Sequence, residues 1–240
     1  MNKNSHLRVF VAFFSLFFLA CGAALADEAS VKKELEARFP GLKIDRITKT
    51  NMLDLWEVVS GKEVVYTDDK ATYLFSGNLI EVKTRKNITQ ERVEQLTAVN
   101  FKDLPFELAI KTVRGKGTRQ VAMFSDPNCP YCKRMDKAVM DMDDITIYTF
   151  LYPILAADSA EKAKMIWCAP DKSRAYMDWM LRGRSPAVGK DCDAPINRMV
   201  ELGRRLGMDS VPVTIMTSGQ RIVGARVEDL QRLMQTASAK

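Results

Sequence analysis

Read for the alternation of apolar and polar positions, the chain opens on one apolar run and then changes period twice. Val9 to Ala20 is apolar but for Ser15, follows Lys3 and Arg8, and leads to Ala24-Leu25-Ala26, which predicts an export signal over residues 1–26 cleaved after Ala26. The run is too short to span a bilayer comfortably, and it lacks the polar face of an amphipathic core helix. Val31, Leu35 and Phe39 then recur at helical spacing after Ser30, and Pro40-Gly41 stops that helix. Extended segments are expected at 43–50, 54–60, 63–67, 71–75 and 79–83, separated at Ser60-Gly61, Asp68-Asp69 and Ser76-Gly77-Asn78 by residues suited to hairpin turns. One helix and a strand meander of about sixty residues make a marginal core, so pairing with a second copy would bury more surface.

Asn87-Ile88-Thr89-Gln90 has the form of a capping box and predicts a connecting helix through about Phe101. Past Leu104-Pro105 the period falls to two. Segments 109–114 and 119–125 flank Gly115-Lys116-Gly117 and are expected to form a hairpin. The second of them carries Val121 and Met123 on one face and Ala122 and Phe124 on the other, the pattern of a strand buried on both sides. An apolar strand is expected at 146–152, helices at 159–169, 171–182 and 194–206, strands at 213–216 and 221–223, and a helix from Val227. No internal repeat is evident, and the scattered methionines read as core filler.

The candidate chemistry sits where the doubly buried strand gives way to a helix, in Phe124-Ser125-Asp126-Pro127-Asn128-Cys129-Pro130-Tyr131-Cys132-Lys133. Pro130 suits the first helical turn, which places Cys129 at the N-cap beside unpaired N–H groups and the positive end of the helix dipole. That position favours thiolate over thiol, and Cys132, one turn on, is within reach to resolve a mixed disulfide. Half of a zinc site is the competing reading, but zinc needs two more ligands. The one histidine is His6, in the leader, and Cys168 and Cys192 are not closely spaced, so no metal and no cofactor are expected. The missing histidine also excludes the usual Cys-His and Ser-His nucleophiles. Asp126 reads as a turn residue before Pro127, and Lys133 as a solvated side chain.

Charge and cysteine count narrow the class further. Loss of the signal takes Lys3 and Arg8 and no acid, leaving 34 bases from 36 against 30 acids and lowering the net charge from +6 to +4. Basic pairs such as Arg204-Arg205 alternate with acids as solvated helix faces do, so no nucleic-acid binding is inferred. Of five cysteines, cleavage leaves Cys129, Cys132, Cys168 and Cys192, an even number in a disulfide-permissive compartment. Lipid attachment at Cys21 is the alternative, although Phe18 stands where the lipoprotein pattern usually has leucine.

Strand, cysteine pair, helix, strand, helical insertion, proline-led hairpin and helix make the order of a thioredoxin fold. The motif around Cys129, the separate meander domain, the connecting helix and the cysteines at 168 and 192 together resemble the periplasmic disulfide isomerases of the DsbC/DsbG family, over nearly the whole mature chain. The resemblance implies an α+β cystatin-like dimerisation domain over 27–86, a linker helix over 87–103, and an α/β thioredoxin-like catalytic domain over 104–240 with an insert at about 156–208. It implies a V-shaped homodimer kept reduced by the membrane reductase DsbD, acting on misoxidised exported proteins. By the same resemblance Cys129 attacks, Cys132 resolves, and Pro130 and Tyr131 tune the thiolate; the CPYC pair is closer to DsbG than to DsbC, whose usual pair is Gly-Tyr. Pro212 matches the family's cis-proline, which presents the preceding backbone to substrate, while Val211 departs from the usual threonine. Cys168 and Cys192 are implied to form a structural bridge, a second redox couple being the alternative. Two further functions remain open on the residues: a net oxidase resembling DsbA, and a holdase or binding module in which the thiols are secondary.

Overall fold

A computed structural model describes residues 27–186 and 192–237. The expected signal, its cleavage after Ala26 and the alternative at Cys21 lie outside the described residues. The chain divides into two compact units, one reaching Gly61 and including Val65–Ser76, the other made of Lys62–Val64 and Gly77 onward.

In the first unit, helix α1 (Glu28–Arg38) packs on a four-stranded sheet of β1 (Arg46–Lys49), β2 (Trp56–Ser60), β3 (Glu63–Thr67) and β4 (Leu74–Ser76), in that order. The helix begins earlier than Ser30 because Asp27 is its cap: the Asp27 carboxylate accepts the Ser30 N–H at 2.7 Å, while Ser30 Oγ accepts the Asp27 N–H at 3.1 Å. Val31 and Leu35 bury against Ile47, Trp56, Val58 and Val65. Phe39, expected on the same stripe, is instead the C-cap residue and 46% exposed. Segment 79–83 does not extend the meander. A turn over 82–85 folds it back, so that β5 (Ile80–Glu81) pairs with β6 (Lys86–Asn87) as a separate ladder.

Helix α2 (Ile88–Thr97) follows with Asn87 as its cap, but the box is half formed, since the Gln90 side chain bonds Glu94 rather than the Asn87 N–H. It stops short of Phe101 because Val99 leaves helical geometry to donate its N–H to Gly219 O at 3.0 Å. Phe101–Asp103 forms a separate 3₁₀ turn.

The large sheet comprises β7 (Ile110–Arg114), β8 (Arg119–Ser125), β9 (Ile145–Leu151), β10 (Val213–Met216) and β11 (Arg221–Val223), in the order β11-β10-β8-β9-β7. Helix α3 (Pro130–Met140) joins β8 to β9, which run parallel; helices α4 (Ser159–Trp167), α5 (Lys172–Arg182) and α6 (Ile196–Arg205) are inserted before β10, and α7 (Val227–Ala237) closes the chain. This is a thioredoxin-like fold with a helical insertion. The expected hairpin of 109–114 with 119–125 does not form: β9 lies between them, antiparallel to β7 and parallel to β8. Burial explains the exchange, since β9 is apolar on both faces and needs a central place, whereas β7 alternates buried and exposed positions as an edge strand does.

Strand β8 divides two layers of core. Ala122 and Phe124 pack with Phe150, Tyr176 and Met199 on one side, and Val121 and Met123 with Met135, Val139, Leu230 and Met234 on the other. A disulfide between Cys168 and Cys192 ties the end of α4 to the segment before α6. Tyr152 is locked by donating its hydroxyl to Met208 O at 2.8 Å, and its ring lies against Gly203 of α6, where an added Cβ would meet Cε2 at 2.5 Å. Gly203→Ala is therefore expected to destabilise the protein by about 1–3 kcal/mol, read as a lowered midpoint of urea unfolding.

Candidate active site

Strand β8 ends at Ser125 and α3 starts at Pro130, so four residues carry the chain from sheet to helix. Cys129 is the N-cap, with φ −81° and ψ 116°, and Pro130 fills the position whose N–H would have no partner. The Cys129 sulfur accepts the Cys132 N–H at 3.1 Å and lies 3.6 Å from the carbonyl oxygen of Val211, whose peptide bond to Pro212 is cis. The sulfur thus stands at the head of α3 with a backbone N–H and a carbonyl oxygen as its polar neighbours. Cys129 and Cys132 are free thiols, and Cys129 is only 1% exposed, while Tyr131 between them is 63% exposed. Burial, and then the Cys129 side chain, push the Cys132 thiol well above the ordinary cysteine range, which keeps it protonated.

The fold thus brings Cys129, Pro130, Tyr131, Cys132, Val211 and Pro212 to one place. Cys168 and Cys192 are bonded to each other in the helical insertion. Among the described residues, no three or more His, Cys, Asp or Glu side chains converge as a metal site.

Asp126 is more than the turn residue expected from sequence. Its carboxylate is fully buried and accepts from the Asn128 N–H at 2.8 Å, Ser159 Oγ at 2.8 Å, Ile154 N–H at 2.7 Å and Leu155 N–H at 2.9 Å. Lys133 is likewise not simply solvated. Its ammonium lies 5.2 Å from the centroid of the Trp179 ring, and Lys162 lies 4.9 Å from the same ring. Trp179 in turn donates its indole N–H to Pro127 O at 2.6 Å, and Lys162 donates to Asn128 Oδ1 at 2.7 Å. Helices α4 and α5 therefore grip the turn that presents Cys129.

A second buried acid lies behind the cysteines, one turn after Cys132 on α3. Asp136 is wholly buried, its Oδ2 is 2.8 Å from the Tyr176 hydroxyl, and its Oδ1 has no partner. Burial pushes its carboxyl up to about 8, a rise the Tyr176 hydrogen bond only reduces. The Tyr176 hydroxyl also lies 2.6 Å from Ser125 Oγ. Sequence reasoning did not single out Asp136, Tyr176 or Ser125. One signal was present: Cys132, Met135, Asp136 and Val139 share the buried stripe of α3, and an acid among them is out of place.

Comparison with known proteins follows the same two-part division. A model of the disulfide bond isomerase protein N-terminal domain matches residues 22–90, and a thioredoxin-like domain model matches residues 106–237. Over 200 residues the chain is 44% identical to the probable thiol:disulfide interchange protein DsbC of Bordetella pertussis, covering 83% of this chain and 71% of that one. Identity to thiol:disulfide interchange protein DsbC of Escherichia coli is 27% over 218 residues, 88% of each chain. The crystal structure of a disulfide interchange protein from Neisseria gonorrhoeae matches with a TM-score of 0.52 at 38% identity, covering 55% of this chain and 99% of that one.

The raised Asp136 carboxyl makes stability depend on pH. Between the ordinary value of 3.8 and about 8 the folded protein holds a proton there that the unfolded chain has released. Stability from this group is complete below about pH 4 and is lost as pH rises towards 8, at up to about 1.4 kcal/mol per pH unit. Asp136→Asn is expected to remove that slope, so the variant gains stability relative to the parent at pH 8 and gains none at pH 4, as urea unfolding at the two pH values would record.

Proposed function

The chain belongs to the DsbC family of thiol:disulfide interchange proteins, and on that premise we propose that Cys129 and Cys132 are its redox pair, Cys129 attacking and Cys132 resolving. The family activity is thiol-disulfide interchange of the isomerase type. The observation that carries the assignment is the Cys129 sulfur at the head of α3, accepting the Cys132 N–H at 3.1 Å while the protonated Cys132 waits behind it. Cys129 attacks a non-native substrate disulfide and forms a mixed disulfide, expelling one substrate thiolate. Release then follows one of two routes: a substrate thiol displaces Cys129 and the substrate is rearranged, or Cys132 displaces the substrate and it is reduced.

Val211 and Pro212 offer backbone to an extended substrate beside the sulfur; Val211 brings a carbonyl and, unlike threonine, no hydroxyl. Pro130 and Tyr131 tune the thiolate, and exposed Tyr131 adds an apolar ring at the point of approach. Cys168 and Cys192, 24 residues apart, act as a structural staple worth roughly 3 kcal/mol in the chain-entropy model. The clients are misoxidised exported proteins, in keeping with a periplasmic enzyme that leaves its signal at Ala26 and is recharged by a DsbD-like membrane reductase.

The domain plan of 27–86, 87–103 and 104–240 accompanies this reading, with the first domain joining two copies. In support, β4 is an edge strand whose neighbourhood exposes apolar rings, Tyr73 at 67% and Phe75 at 52%, the kind of surface a second chain covers.

Recovery of activity from scrambled ribonuclease is the direct test. It is expected with the parent protein and lost in Cys129→Ser, while Cys132→Ala accumulates substrate adducts through Cys129 that a reductant releases on a gel; retention of full activity by Cys129→Ser would overturn the assignment. Light scattering of the mature chain at micromolar concentration is expected to give twice the monomer mass, and a monomer there would remove the dimer.

A further inference from the structure

A cavity of about 350 Å³ borders the segment that leads into Val211 and Pro212: its lining includes residues 207–210 just before that pair and Val213 just after it. Helix α2 supplies the facing wall. Val93, Val213 and Val223 give the cavity an apolar lining, and Arg221 and Arg226 are among its charged residues. The volume falls at the small end of the range for ligand cavities, about 300–1,000 Å³.

Arg221 brings a charge to this wall without a counter-charge. The side chain is half-buried; Nη1 donates to Leu206 O at 2.7 Å, Nε is buried with no hydrogen-bond partner, and no carboxylate pairs with the group among the described residues. Nη2 makes no hydrogen bond and keeps access to solvent, so it is the atom free to meet a ligand. Burial alone lowers the pKa of this guanidinium, in keeping with a cation that nothing nearby neutralises. The other charges on the wall are engaged. Arg226 pairs with Asp229, Asp209 pairs with Lys62 of the same compact unit, and the Glu94 carboxylate accepts the side-chain amides of Gln90 at 3.2 Å and Gln220 at 2.7 Å. A desolvated cation costs free energy that a bound anion offsets, and a charge-assisted bond to a carboxylate is the strong form of that contact.

We propose that this cavity binds a small organic carboxylate, its charge on Arg221 and its apolar body against Val93, Val213 and Val223, and that the bound acid steadies the segment along which substrate is laid beside Cys129. Arg221 links the two. Residues 206–212 are held at three points: Leu206 O by Arg221, Met208 O by the Tyr152 hydroxyl at 2.8 Å, and Pro212 O by the Gly224 N–H at 2.8 Å. A carboxylate on Nη2 orients the guanidinium and so firms the first of these. Backbone that is already ordered loses less entropy when an extended substrate settles on it, so substrate binds more tightly while the exchange of sulfur bonds is left alone.

N-acetyl-leucine carries a carboxylate and an apolar side chain, and N-acetyl-leucinamide carries the side chain without the charge. By titration calorimetry of the reduced full chain at pH 7, the acid is expected to bind with a Kd below ~1 mM and the amide at least ~10-fold more weakly. Arg221→Gln is expected to weaken binding of the acid by at least ~10-fold, and so is Val93→Phe, which fills the cavity from α2 and leaves the arginine in place. Equal binding of acid and amide by the parent, or a folded Arg221→Gln that binds as the parent does, would overturn the site. A leucine-ended tetrapeptide that binds more tightly than the acid would overturn its assignment to a small molecule and give the cavity to a chain end.

The effect on interchange rests on Cys129 as the attacking thiol. With saturating N-acetyl-leucine, KM for a short peptide disulfide is expected to fall by at least ~2-fold and kcat to change less; an unchanged KM would overturn the coupling. Cys129→Ser is expected to bind the acid as the parent does while losing interchange. Interchange retained by Cys129→Ser would overturn the reading of Cys129, and the calorimetry decides the cavity independently of it.

Discussion

Burying the Asp126 carboxylate is tolerable because four donors converge on it, and they come from separate parts of the chain: the turn before Cys129, the stretch after β9 and the first residue of α4. A polar group so deep in a protein is expensive unless its lone pairs are filled, so any arrangement that pulls one of these segments away leaves acceptors or donors stranded. The penalty works as a geometric constraint. It fixes the turn that presents Cys129 relative to the insertion, and the Trp179 hydrogen bond to Pro127 O fixes it again from α5. The position of one sulfur at the head of α3 is thereby decided in part by contacts between residues 28 to 52 apart in sequence.

Asp136 shows the opposite treatment of the same side chain. Ten residues on, and as deeply buried, it has one hydrogen bond at Oδ2 and an unfilled Oδ1. Where Asp126 is satisfied and serves as an anchor, Asp136 has a single partner and keeps its proton up to about pH 8. A buried acid that costs stability when charged, one turn from Cys132, has the profile of a residue kept for something other than stability.

The local features of this fold were legible because they depend on neighbours in sequence. Pro130 marks the helix start and so places Cys129, and the alternation of Val121 and Met123 against Ala122 and Phe124 identifies a strand buried on both faces. Features that depend on the arrival of a distant segment were not. The glycines at 115 and 117 look like a hairpin turn from either flank, and nothing in them reveals that β9 will come between. Segment 79–83 has strand composition, yet its partner is the short stretch just before α2 rather than the meander. Ser30 and Asp27 are both competent caps, and their reciprocal bonds decide the start of α1. The acids at 126 and 136 draw their meaning from Ser159, Ile154 and Tyr176, which the sequence places far away.

The bond between Cys168 and Cys192 has one further implication for how this molecule comes into being. Four thiols can be joined in three ways when all are bridged, and only one of these contains the bond between Cys168 and Cys192. A newly made copy therefore depends on an outside source of oxidising equivalents for its staple, and it risks the same mispairing that its mature siblings exist to repair.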